Sequence, residues 1–230
     1  NIATLLAAEG RRVGVIDTDI QSPGIHVLFG LAGREIGHSL NDYLWGRCDI
    51  EQAAHDVTAN LGGQVRGRLF LIPSSIQADE IVNVLREGYD VSRLTHGFRS
   101  LIKALSLDVL MIDTHPGLKE ETLFSIAISH ALVVILRPDQ QDYEGTAVTV
   151  EVARSLDVPR MVLVVNKTPP AFNPVEVRTR VAQTFQCDVA AVLPFSEEMM
   201  NLASTGIFAL RYPDHELTRQ LREVAARLAV

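Results

Sequence analysis

Lysine is scarce in this chain: among 21 basic residues only Lys103, Lys119 and Lys167 are lysines, and none follows a glycine. A glycine-rich loop that closes on Gly-Lys to hold a phosphate is therefore not encoded within these 230 residues. Cysteine is nearly absent. Cys48 and Cys187 stand far apart without a CxxC partner, which argues against a disulfide framework or a cysteine zinc site and fits a reducing cytosol. No apolar run approaches the roughly 18–20 residues that span a bilayer, and the first residues lack the basic-then-apolar pattern of a secretory leader. The seven histidines show no HExxH or paired-ligand spacing. Positive charge is in deficit too: 21 Lys and Arg against 28 Asp and Glu leave −7, so no overall field draws the chain to nucleic acid or acidic lipid.

What is present is the composition of a globular chain, 47% hydrophobic and 21% charged, which excludes global disorder. Short runs rich in Val, Ile and Leu recur at 13–16, 69–72, 109–112, 132–136, 161–165 and 190–193. They are continuous rather than alternating, as in strands buried on both faces of a parallel sheet. Helices with readable ends lie between them. Ser39 is expected to cap Leu40–Trp45, with Gly46 as the stop. Asn173 followed by Pro174 starts a helix that runs to Phe185, and Ser196 caps Glu197–Ala203, with Gly206 just beyond. Over Glu216–Val230, Leu217, Leu221, Val224 and Leu228 share one helical face, which suits the closing helix of a domain or a membrane-surface helix. The alternation predicts an α/β fold with a doubly wound, mostly parallel sheet flanked by helices. No linker, repeat or low-complexity tract divides the chain, so one domain over 1–230 is expected, with 30–37 and 60–68 as surface loop.

In open parallel sheets, ligands gather at the carboxyl ends of strands. Val13–Ile16 delivers Asp17-Thr18-Asp19, and Val109–Ile112 delivers Asp113-Thr114-His115-Pro116-Gly117. A carboxylate straight after four apolar residues suits Mg²⁺ held through water at a strand tip. An aspartate also commonly ends a strand and caps the next turn or helix, and either segment alone leaves both readings open. Gly117 would let a backbone N–H face a terminal phosphate, or simply make a turn. At Val164-Val165-Asn166-Lys167, the Asn amide suits the edge of a nucleobase, but taken in isolation the segment reads better as a plain turn. Gly37-His38-Ser39-Leu40-Asn41 is one residue short of a nucleophile elbow and comes after no strand, so Ser39 reads as a cap.

Together these segments resemble the MinD/ParA family of deviant-Walker P-loop ATPases over essentially the whole chain. The matching stretches are the helix at Asn1–Gly10 leading to Val13-Gly-Val-Ile-Asp17-Thr-Asp19, Leu69-Phe-Leu-Ile-Pro73-Ser-Ser, Asp113–Gly117, Val164-Val-Asn166-Lys, Val192-Leu-Pro194-Phe and Glu216–Val230, which the resemblance favours as the closing helix of the domain. Ser22–Gly30, Ser39-Leu-Asn-Asp-Tyr-Leu and Cys48-Asp-Ile-Glu51 are more similar to the MinD branch than to plasmid ParA. The resemblance implies a P-loop NTPase fold and a Mg²⁺-dependent ATPase in which ATP joins two protomers into a homodimer and hydrolysis releases them. By that resemblance Asp19 is the switch aspartate that positions the attacking water, and Asp113 is the Walker B aspartate of the magnesium shell. Gly117 is the switch glycine facing the γ-phosphate, Asn166 reads adenine, and Pro194 lies on the adenine-flanking loop. Asp17 is expected to support Asp19. His115 departs from the Pro or Ala the family usually carries nearby; it reads as loop filler, with contact to phosphate or a partner as the other reading.

The resemblance also implies a Walker A loop a few residues ahead of Asn1, after a strand central to the sheet. The expectation is therefore a domain whose first strand and phosphate loop lie outside these residues, which would leave apolar sheet edges. The implied role is to position division, partition or other spatially organised machinery in the cytoplasm. A ParA-type partition ATPase, a non-hydrolysing scaffold and an amidotransferase-type synthetase are further readings; a nitrogenase-like reductase is set aside because neither cysteine suits a bridging cluster. Activator and cargo are not legible. Membrane contact has no support in the sequence, and Arg178, Arg180 and Arg211, the candidates for a DNA face, read as solvated surface.

Overall fold

Each of the six apolar runs forms a strand in the computed structural model, which describes residues 1–31, 36–62 and 65–228. The order is α1 (Ile2–Ala8), β1 (Arg12–Asp17), α2 (Ile25–Leu28), α3 (Leu40–Leu44), β2 (His55–Asp56), β3 (Arg68–Ile72), α4 (Ala78–Glu87) and α5 (Ser92–Ala104). Then come β4 (Val109–Asp113), α6 (Glu120–Ile128), β5 (Leu132–Leu136), α7 (Gln140–Ser155), β6 (Met161–Thr168), α8 (Pro174–Phe185), β7 (Asp188–Pro194), α9 (Glu197–Asn201), α10 (Phe208–Arg211) and α11 (Glu216–Leu228).

The strands pair in the order β2-β3-β1-β4 and, separately, β5-β6-β7. All pairings are parallel except that of the short edge strand β2 with β3. Helices cover both faces, so the expected α/β, doubly wound, mostly parallel architecture forms. On one face a single core spans both sheets: Leu5 and Leu6 of α1, Val13 and Leu71, Val164 and Leu193, and Leu221 and Val224 of α11 all belong to it. The opposite face carries two separate cores. Ile16, Ile72, Leu94 and Leu101 build one, and Val134, Leu163, Val181 and Phe185 the other.

The sheet is interrupted between β4 and β5. Each is the last strand of its own sheet, with no strand of the described residues paired beyond it. The apolar residues of β4 are only partly buried, and Ile135 of β5 is 63% exposed. A parallel strand normally buries both faces and uses both edges, so these are open edges.

Local chemistry sets the helix ends. Ser39 and Asp42 form a capping box at α3, and Gly46 at φ +72° turns the chain away after it. Asn173 Oδ1 accepts from the Val175 amide at α8, whose first residue is Pro174, and Ser196 Oγ accepts from the Met199 amide at α9. α8 stops at Phe185, as expected, with Gln186 in the left-handed region closing it. α9 is shorter than expected, ending at Asn201 rather than Ala203, because Ala203 and Ser204 take positive φ.

The expected loop at 60–68 is more structured than its composition shows. Leu61 is buried in the common core, and Gly67 donates to Ala7 O at 2.8 Å. A side chain at Gly67 would place its Cβ 2.0 Å from Arg11 O. Residues 32–35 and 63–64, within the two expected loops, lie outside the described residues, as do 229 and 230 at the end of the expected closing helix. Leu217, Leu221 and Val224 of α11 are buried against α1 and β7, so its apolar face is committed to the core, as a closing helix requires.

Candidate functional site

Parallel pairing of β1 with β4 brings Asp17 and Asp113 into direct register at the carboxyl ends of the two strands. The tips are cross-tied: the Thr18 amide and Thr18 Oγ1 both donate to Asp113 O, at 2.9 and 2.6 Å. Buried Ser74, just past β3, donates to Asp17 O at 2.7 Å. Three strand ends thus hold one loop platform.

Asp17 is buried and its carboxylate is occupied. Oδ1 accepts the Asp19 amide at 3.1 Å, while Oδ2 accepts the amides of Gly24 at 3.2 Å and Ile25 at 3.5 Å, where α2 begins. Burial pushes its pKa up, the three amides pull it back, and the neighbouring Asp19 charge adds to the rise. The side chain thus ties together the segment that carries Asp19.

Asp19 Oδ1 accepts the Ser22 amide at 3.1 Å and lies 2.8 Å from His115 Nδ1. Both side chains are largely buried, 15% exposed for Asp19 and 24% for His115. Asp113 makes no side-chain hydrogen bond among the described residues. Partial burial, then the charges of Asp17 and Asp19, push its pKa up to about 6. Gly117, exposed at φ +100°, turns the chain between β4 and α6, a conformation that disfavours any side chain.

Asn166 and Pro194 end up together on the other sheet, near the carboxyl ends of β6 and β7, where Thr168 pairs with Pro194 and Thr168 O accepts the Phe195 amide at 2.9 Å. Asn166 Oδ1 accepts the amide of Lys167, whose φ is +54°, so the side chain is tied to its own turn. The buried Thr168 Oγ1 beside this segment lacks a hydrogen-bond partner among the described residues. No hydrogen bond among the described residues joins this pair to the Asp17, Asp19, Asp113 and His115 group.

Among the described residues, no three His, Cys, Asp or Glu side chains are arranged to hold a metal directly. A single carboxylate with waters is nonetheless the usual protein contribution to Mg²⁺ on a phosphate, and Asp113, free of partners and crowded by like charge, fits it.

A sequence profile of the ParA family, described as the NUBPL iron-transfer P-loop NTPase, matches residues 1–229, and the chain belongs to this family of P-loop NTPases. An ATP-binding protein of Methanocaldococcus jannaschii is 23% identical over 99% of this chain and 80% of its own length. An iron-sulfur cluster carrier protein of Pyrococcus horikoshii is 23% identical over 99% of the chain and 79% of its own. The septum site-determining protein MinD of Bacillus subtilis is 20% identical over 99% and 81%. Among solved structures, MinD of Pyrococcus horikoshii complexed with Mg-ADP superimposes with a TM-score of 0.79 at 16% identity, covering 99% of this chain and 87% of that one. These likenesses bear out both the MinD/ParA resemblance and the fold.

Sequence reasoning missed the Asp19–His115 contact, taking His115 for filler. The signal was faint: a histidine two residues past a strand-tip aspartate, locked between Thr114 and Pro116. Thr18 and Ser74, whose hydroxyls tie the strand ends, gave no signal beyond their place at the tips.

Proposed function

We propose that the protein is a MinD-like, Mg²⁺-dependent ATPase that uses ATP as a dimerisation switch. The carrying observation is the convergence of Asp19 and Asp113 at adjacent strand tips, one held by hydrogen bonds and the other left free. Asp113 would hold Mg²⁺ through water, and the ion, when bound, would neutralise phosphate charge. Asp19 would orient the attacking water, Asp17 would keep the Asp19 segment folded, and Gly117 would bring a backbone amide to the terminal phosphate. Asn166 and Pro194 would bound the adenine.

The proposal includes one domain with a further strand and phosphate loop encoded ahead of Asn1. The open edges of β4 and β5 support it. Val109 and Met111 on one and Val133 on the other pack against the same core, as strands on either side of an inserted strand would.

The test is Mg-ATP hydrolysis by the native full-length protein. Asp19→Ala should lower turnover by roughly 100-fold with ATP binding retained; unchanged turnover contradicts the assignment. Cargo positioning, a homodimer and a cytoplasmic setting belong to the same proposal, and dimer formation that requires ATP would be read by light scattering.

Cluster carriage is a second reading, favoured by the family's description and the Pyrococcus relative. Against it, Cys48 packs with the core beneath α3 and α5, and Cys187 with the separate core beneath α7 and α8. Burial raises both thiol pKa values, which opposes the thiolate that iron needs.

A further inference from the structure

We propose that His115 is a positioning residue for Asp19, fixing one carboxylate oxygen so that the other is held in place for water. The inference rests on the reading that Asp19 orients the attacking water.

Asp19 sits two residues beyond β1 on a loop, where an untethered carboxylate would rotate about χ2. Its Oδ1 takes two donors, the Ser22 amide from its own loop and His115 Nδ1 from the loop after β4. Oδ2 has no hydrogen bond among the described residues. A carboxylate pinned at one oxygen presents the other at a defined place, the preorganisation that a water-orienting group requires. His115 is itself held: its backbone oxygen accepts Thr122 Oγ1 at 3.3 Å, and Pro116 comes directly after it. The carboxylate can only accept here, so Nδ1 carries the proton, which fixes the ring's tautomer.

A plain structural staple between the two loops is the competing account. Thr18 already supplies that staple with two hydrogen bonds to Asp113 O. The His115 contact adds no tie that the strand tips lack. Its addition is control of one side chain.

The experiment compares steady-state Mg-ATP hydrolysis by the native full-length protein with His115→Ala, His115→Asn, Asp19→Ala and the Asp19→Ala/His115→Ala double variant, each checked for thermal unfolding. His115→Ala should lower kcat by roughly 10- to 100-fold, the usual loss for an outer partner of a functional group, with KM for ATP little changed. His115→Asn should restore most of kcat, because its amide nitrogen occupies the place of Nδ1 on the same Cγ. The double variant should be no slower than Asp19→Ala alone. The ring-nitrogen chemical shifts of His115 should report protonation at Nδ1 in the wild type. A normal kcat in folded His115→Ala, an asparagine variant as slow as alanine, additive losses in the double variant, or a ring protonated on Nε2 but not on Nδ1 overturns the proposal. Hydrolysis that is absent in the wild type, or survives Asp19→Ala, sinks the ATPase reading and this inference with it. Hydrolysis lost in Asp19→Ala but not in His115→Ala sinks this inference alone.

Discussion

Asp17 and Asp113 are direct register partners at the ends of neighbouring parallel strands, yet among the described residues only the carboxylate of Asp17 is hydrogen-bonded. Two carboxylates side by side repel, and three amides stabilise the charge on one of them. The proton therefore falls on Asp113 first, whose pKa rises to about 6. A cation at that point would reverse the penalty, which is why the like-charge pair is informative.

In metal-free buffer, Asp113→Asn should stabilise the fold at pH 7.5. The folded-state pKa is raised from 3.8 to about 6, so the folded protein prefers the neutral form. Stability from this group is present below about pH 4 and is lost as pH rises through about 6. The gain on substitution should be on the order of 1 kcal/mol, after allowing for solvent screening on the exposed side, and should vanish near pH 4. Urea unfolding at the two pH values reads it; a destabilised variant at pH 7.5 contradicts the like-charge account.

Asp17→Ala removes the acceptor of three amides and should cost about 2–3 kcal/mol, while Asp17→Asn, with one acceptor oxygen, should cost less. Denaturant midpoints measure both. Equal losses would mean that the charge and the second oxygen do not matter.

Gly67→Ala should be strongly destabilising, by roughly 3 kcal/mol or more, because the new Cβ meets backbone at Arg11 rather than a movable side chain. Gly145→Ala is its counterpart. Gly145 lies inside α7 with open space where a Cβ would go, so the fold should gain about 0.5–1 kcal/mol. Thermal unfolding distinguishes the two signs.

Anaerobic reconstitution with iron and sulfide should leave no stoichiometric cluster that depends on Cys48 or Cys187, and the double Cys→Ser variant should hydrolyse ATP as the wild type does. Visible absorbance and iron content check the first. A cluster lost in Cys48→Ser would favour carriage over the switch.

The strands were legible because six continuous apolar runs in 230 residues have few other homes than a parallel sheet. Ser39, Asn173 and Ser196 were legible as caps because their acceptor oxygens precede helical patterns with no strand signal. Asp19 and Asp113 stood out by position just past apolar runs, but position alone left capping open, and their expected roles came only with the family resemblance. The break between β4 and β5 was only partly so: a run such as Val109–Ile112 shows that a strand exists, not which edge stays unpaired. Nor was the Asp19–His115 contact, since 96 residues separate the two and no local pattern encodes a meeting created by strand order. The packing at Gly67 was hidden for a similar reason, because its partner, Arg11, lies on a distant turn.

The common core joins α1 to α11, and the Asn1 side chain accepts the Ala209 amide at 2.9 Å. Segments more than two hundred residues apart must therefore meet before that layer closes. During synthesis, β1 and β3 can pair early beneath α1, but α1 and β7 lack their cover until Glu216–Leu228 has left the ribosome. A stalled or shortened product would leave apolar surface of α1 and β7 uncovered, a surface that chaperones hold and proteases find.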